Sequence, residues 1–447
     1  MLRGRTVGQV AGAFDQRFWT IDVLRATHVY PPIWHASLAL AAIHGRMQVA
    51  AIAQTETSLS DTKQKDYAFA LMQYNLAIKH LIPLTSRSNP NQFDQEALLL
   101  ASLLFTGLCT MLGNTKEAIS HAYNGLQLFY LWRYKEQPGR LPRPHCVLTP
   151  NSLIAAFTFL ECQFINRLGY LHQANWAGQC TPFQCSALPF DCATDVYFEF
   201  QPLLTDIMAL RRKANVSGRR VMGHIKALNL RQKQEFRSWA AKLQAFQQSP
   251  KHQQANKEST LLLQIFRLGL EISLCHDFGV PRIQFDKCNP LFKQIIDLSE
   301  QLCTEMMKKP NVQEYCLTRF SFSHSLCELL DFIGWTCRDG HLRRRLIALL
   351  KKWPQRDGIL DPVTVALICE AGMFLEESGA FGGSAGAPST CGCRSGIFIC
   401  NDHRICSRST TYHPDGEVDI IMTTSGDLQH QRPGTRVTLR RYSTDLK

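Results

Sequence analysis

Between residues 20 and 378 apolar side chains return at helical intervals, and before residue 395 no stretch alternates convincingly between apolar and polar positions. The chain is therefore expected to be all-α: a large multi-helix domain of packed antiparallel helices, followed by a poorly ordered C-terminal tail. Proline and glycine set the helix ends. Pro31 and Pro32 break the first 55 residues. Ser60 and Asp61 are N-cap types ahead of a helix carrying Tyr67, Leu71, Tyr74, Ile78 and Leu81 on one face, which Pro83 should stop. An apolar helix over 94–112 should end at Gly113-Asn114, and Asn114 with Glu117 should cap the next one, in which Ala118, Ala122, Gly125, Leu128, Phe129 and Trp132 face one way.

After the loop "EQPGRLPRPHCVLTP" a helix is expected over 151–170, then irregular chain over 176–202, where Pro182, Pro189 and Pro202 fall. A polar linker at about 249–259, "SPKHQQANKES", divides the helical part. Further helices are expected over 260–276, 290–307, 311–334, 340–352 and 362–377, without a fixed repeat. At Gly379 the composition changes to "GAFGGSAGAPST", so residues 1–378 are read as one helical domain. Residues 379–447 are read as a Gly/Ser/Cys-rich tail, disordered or loosely attached, in which "EVDIIMTT" and "TRVTLRRY" have the pattern of short strands.

The net charge of +12 is spread along the chain and favours anionic partners only weakly. The longest uncharged run, "ALLLASLLFTGLCTML", falls short of the ~20 residues of a membrane span and reads as a core helix, so no membrane is expected among the partners. The opening "MLRGRTVGQVAGAFDQRFW" has no sustained apolar run, so the 17 cysteines are expected to stay reduced. Cys109, Cys162, Cys303, Cys327 and Cys369 lie in apolar helical patterns, where cysteine acts as a small hydrophobe.

Five segments, in order, carry a resemblance: "YPPIWHASLALAAIHGRM", "YNLAIKHL", "LLLASLLFTGLCTMLGNTKEAISHAYNGLQLF", "EFRSWAAKLQAFQQ" and "WTCRDGHLRRRLIALLKKWPQRDGILDPVTVALICEAGMFLEES". Over residues 20–378 the chain resembles the fungal-specific transcription factor family, the helical regulatory region that follows a zinc binuclear cluster. The resemblance implies a transcriptional regulator in the nucleus, pathway-specific and of the kind that controls secondary-metabolite gene clusters. It implies action through protein partners, a homodimer or a full-length relative being the candidates, with DNA reached only indirectly, and no enzymatic activity. The six-cysteine cluster of the family has no counterpart here, since no cysteine precedes Cys109. Zinc as a cofactor is therefore expected only if an upstream module belongs to the protein, and a truncated gene model of a complete zinc-cluster activator is the alternative. A helical enzyme is the remaining rival, without support from the residues.

No catalytic or cofactor-binding residue is assigned from the sequence. "CGCRSGIFICNDHRIC" supplies the candidate metal ligands Cys391, Cys393, Cys400, His403 and Cys406, weighed against free thiols in a loose tail and ranked below them. "RDGHLRRRLIALLKK" supplies a candidate import or phosphate-contact patch, Arg343, Arg344, Arg345, Lys351 and Lys352, weighed against a solvated helix face backed by Leu342, Leu346, Leu349 and Leu350. "RRKANVSGRR" is a second basic patch, whereas "HDFG", Asn215-Val216-Ser217 and "HPDGEVD" are read as chance motifs.

Overall fold

The computed structural model describes residues 6–52, 60–134, 147–167, 182–216, 222–275, 282–308, 319–381, 391–394, 397–413 and 416–440. Most of them are helical. The chain divides into two compact units: Met1–Glu161 with Met306–His324 and Pro354–Ile359, and Cys162–Glu305 with Ser325–Trp353 and Leu360–Lys447. No described helix is long and apolar enough to cross a membrane.

The first unit holds α1 (Val7–Val10), α2 (Val23–Val29), α3 (Pro31–Ile52), α4 (Ser60–Thr85), α5 (Gln92–Met111), α6 (Thr115–Leu131) and the start of α7 (Pro150–Arg167). Helix α5 is buried on nearly all faces. A capping box opens it: Asn91 Oδ1 accepts from the Asp94 N–H at 3.0 Å, and an Asp94 carboxylate oxygen accepts from the Asn91 N–H at 3.1 Å. Gly113, at φ +81°, closes it, and the Asn114 N–H reaches back to the Cys109 carbonyl at 2.9 Å. That closure fixes Asn114 at φ −81°, ψ 69°, outside the usual N-cap geometry. Its side chain therefore makes no cap hydrogen bond, which corrects the expected Asn114–Glu117 pair.

Helix α4 also departs from expectation. It runs two residues past Pro83, because a proline in the last turn forfeits only one backbone bond. Its buried positions are the small Ala70 and Ala77 with Gln73 and Leu81, packed on α3, while Tyr67 and Leu71 are each 37% exposed. The Ser60–Asp61 cap lies where side chains are outside the described residues.

The second unit holds α8 (Ala193–Val216), α9 (Met222–Gln247), α10 (Lys257–Cys275), most of α11 (Asn289–Met307), α12 (Leu326–Thr336), α13 (Gly340–Lys352) and α14 (Pro362–Phe381). Helix α8 already begins at Ala193 and carries Pro202 inside it, so the irregular stretch is shorter than its prolines suggested. Phe200 of α8 stacks on Phe266 of α10 with ring centroids 4.5 Å apart, and Trp239 of α9 is fully buried beside them. "SPKHQQANKES" makes a single 3₁₀ turn, Pro250–Gln254, before α10.

The all-α expectation is corrected in two places. In the first unit, β1 (Arg319–Ser321) pairs in parallel with β2 (Gln355–Asp357); of the helix expected over 311–334, residues 311–318 lie outside the described residues, 319–321 are strand, and helix is found from Leu326. Three-residue strands are too short to show an alternation in sequence. In the second unit, β3 (Ile405–Tyr412), β4 (Val418–Thr424) and β5 (Thr435–Leu439) form an antiparallel sheet in that order, with α15 (Ser425–Gln429) after β4. The two tail stretches with strand character are thus β4 and β5. Ile405, Val418, Ile420 and Met422 form the apolar side of this sheet and pack on Ile368, Ala371 and Leu375 of α14. Among the described residues of the tail, it is this sheet that packs on the helices of its unit.

Candidate metal centre

The tail meets the helices through buried charge. Glu376 of α14 is fully buried and accepts from Arg338 Nη2 at 2.7 Å, from Arg343 Nη1 at 2.6 Å and from the Ile405 N–H at 2.8 Å. The Ile405 N–H is the first backbone donor of β3, so one carboxylate joins α13, α14 and the sheet. Arg404, 1% exposed, forms a bidentate pair with Asp286 at 2.7 Å on both arms, and its Nε donates to the Ile399 carbonyl at 2.9 Å. Arg408 pairs with Asp331 of α12 and lies over the Trp335 ring. None of these pairs was legible beforehand. The only hint was that the α13 basic run and the α14 acidic end, Glu376 and Glu377, fall on consecutive helices.

This framework positions a Cys/His cluster at the foot of β3. Arg394 and Phe398 face each other in a two-residue antiparallel bridge, with N–H···O distances of 2.8 and 2.9 Å. The bridge brings Cys393 beside Cys400, whose N–H donates to Cys393 Sγ at 3.0 Å. A turn over 401–403 then returns His403, placing Nδ1 3.4 Å from Cys393 Sγ and 3.3 Å from Cys400 Sγ. With Cys391, the four ligand atoms all lie within 4.8 Å of one another. All four residues are half-buried, open enough for an ion to enter. The Cys391 thiol is held below its usual range, first by the backbone N–H of Cys393, while burial pushes the Cys393 thiol up to about 12.

Four of the five tail candidates thus come together. Cys406 does not: it sits within β3, and its thiol faces the Thr423 carbonyl at 3.4 Å. The cysteines expected as small hydrophobes behave so at Cys109, Cys162, Cys327 and Cys369, which are buried, whereas Cys303 is half-buried.

Most of the basic patch of α13 has acid partners within the unit, but only Arg343 is buried. Arg343 is buried against Glu376, Arg344 pairs with Glu377, Arg345 with Asp297 and Glu300, and Lys351 with Glu370; Lys352 is exposed. Leu342, Leu346, Leu349 and Leu350 are buried, as the amphipathic pattern required. "HDFG" and the glycine-arginine end of "RRKANVSGRR" lie outside the described residues. Compared with known proteins, the chain matches no family model, no curated protein and no solved structure.

Proposed function

We propose that this chain is a transcriptional regulator of the fungal-specific helical type, acting in the nucleus on a specific pathway through protein partners or self-association, and not as an enzyme. The ordered resemblance of five segments motivates the class. The described parts of those segments fall mostly in helices and the turns between them, and one of their glycines permits close helix packing: a Cβ on Gly125 would meet Ser102 Oγ at 2.2 Å. The observation that carries the partner-based reading is the state of the basic helix α13. Four of its five patch residues pair with acids of their own unit, Arg343 as a buried pair and the other three at partly exposed positions, so a phosphate backbone would have to compete with those acids. Sequence-dependent DNA contact is then left to other molecules that this chain would recruit or occupy.

The test is to fuse the whole chain to an unrelated DNA-binding domain and read a reporter carrying that domain's site. A several-fold change in output, up or down, against the DNA-binding domain alone is the expected result. A fusion that is expressed and nuclear yet leaves output unchanged would overturn the proposal.

A further inference from the structure

We propose that Cys391, Cys393, Cys400 and His403 hold a single structural zinc ion, which fastens the 391–403 hairpin to the foot of β3 and so to the helices beneath the C-terminal sheet. The inference does not rest on the transcriptional reading. Three lines of geometry carry it.

The first is the donor set. Three thiols and one imidazole, with no carboxylate among them, suit zinc and exclude the oxygen-seeking calcium and magnesium. The second is compactness. A tetrahedral zinc with bonds of roughly 2.3 Å to sulfur and 2.0–2.1 Å to nitrogen separates sulfur from nitrogen by about 3.6 Å. The observed separations of 3.4 and 3.3 Å to His403 Nδ1 match one central ion. A cluster of two metal ions would spread ligands on opposite metals further apart than a set confined within 4.8 Å.

The third is what the hairpin lacks. Among its described residues the only buried apolar side chain is Ile399, yet it holds three thiols and an imidazole face to face. A segment with so little core depends on a staple to keep one conformation. The Cys400 N–H aimed at Cys393 Sγ at 3.0 Å is a backbone contact of the kind that orients a ligating sulfur. All four positions come from the chain, which leaves no open site for water or substrate, so the ion is structural and not catalytic. On binding, the thiols release their protons to solvent and the imidazole coordinates as the neutral ring through Nδ1.

Continuity gives the ion its consequence. His403 is followed by Arg404, clamped to Asp286, and by Ile405, whose N–H is held by Glu376. Arg282 adds a bond to the Cys406 carbonyl at 2.8 Å. Loss of the ion should therefore loosen the hairpin and the start of β3 while leaving the helices folded.

The experiment uses the full chain, purified under reducing conditions, with metal content measured by mass spectrometry. One zinc per chain is expected, retained in Cys406→Ser and lost in the double variant Cys393→Ser/Cys400→Ser. Because that variant could misfold, the wild-type chain is also stripped by chelation and titrated with cobalt(II). Saturation at one equivalent, with the strong visible absorption of a four-coordinate thiolate site, is the expected result. Chelation should also speed proteolytic cleavage within 391–412 several-fold without loss of helical circular dichroism. Iron with acid-labile sulfide, no bound metal in folded protein, or zinc retained by the folded double variant would each overturn the proposal.

Discussion

Replacing Glu376 by alanine should damage the second unit severely. The carboxylate is 0% exposed, and its partners Arg338 and Arg343 are 3% and 4% exposed, so solvent screening offers no relief. Its removal takes away both charge-assisted bonds and the acceptor of the Ile405 N–H together. Arg338 retains carbonyl acceptors at Trp335, 2.6 Å, and Cys337, 3.3 Å, whereas no partner other than Glu376 receives Arg343 among the described residues. Breaking a buried pair by deleting one partner costs roughly 3–5 kcal/mol, because the other charge stays buried. The stranded Arg343 supports the middle of that range, and the orphaned Ile405 N–H adds to it, giving about 4–5 kcal/mol for Glu376→Ala. Arg343→Met is the control. It leaves Glu376 with Arg338 and Ile405 and fills the space with an apolar side chain, so its cost should be about 1–2 kcal/mol. Urea unfolding of the second unit, with hydrogen exchange of residues 397–424 as a local readout, measures both. Equal losses for the two variants, or a loss under about 1 kcal/mol for Glu376→Ala, would refute the view that this carboxylate joins the sheet to the helices.

Two further outcomes concern the first unit. Burial pushes the His44 imidazole down from 6.5 to about 4, and the ring is bonded by Thr6 at 3.1 Å and Gln9 at 2.7 Å. The unfolded chain therefore binds the proton first, so the stability His44 contributes is complete above pH 6.5 and is lost as pH falls from 6.5 towards 4, by about 3 kcal/mol. Asp15, raised to about 6 chiefly by burial, acts in the opposite sense over pH 4–6, so the measurement is the difference between wild type and His44→Gln in chemical unfolding across pH 4–8. A pH-independent difference would contradict the assignment. Gly125→Ala should cost about 1–3 kcal/mol, since the added methyl would meet Ser102 Cβ at 2.9 Å and Phe157 at 3.0 Å; thermal unfolding no lower than wild type would show that α5 and α6 can part freely.

What the sequence disclosed follows the range of the forces involved. Helix periodicity and glycine stops are local, so α5, the Gly113 turn, α6, α13 and α14 were legible within a few residues. Where a local signal has two possible uses, the surrounding backbone decides between them. Asn114 is a good cap type, but its backbone closes the preceding helix; Asn91 and Asp94 form the true capping box one helix earlier. Pairings between distant segments leave no trace in spacing. Asp286 and Arg404 are 118 residues apart, and Asp331 and Arg408 are 77 apart. Together with the apolar side of the sheet, those ion pairs join the described C-terminal residues to the helices.

The metal candidate shows the same division. Its residue types and tight spacing were visible, and so was the ambiguity between ligands and free thiols. The choice among five candidates required the Arg394–Phe398 bridge and the turn at 401–403, which gather four donors and turn Cys406 away into β3. The chelation experiment tests this division at its sharpest point. If the hairpin keeps its protection without metal, the Arg404–Asp286 and Glu376–Ile405 contacts suffice to hold it. If protection is lost over 391–412 alone, the ion supplies the order that one buried isoleucine cannot.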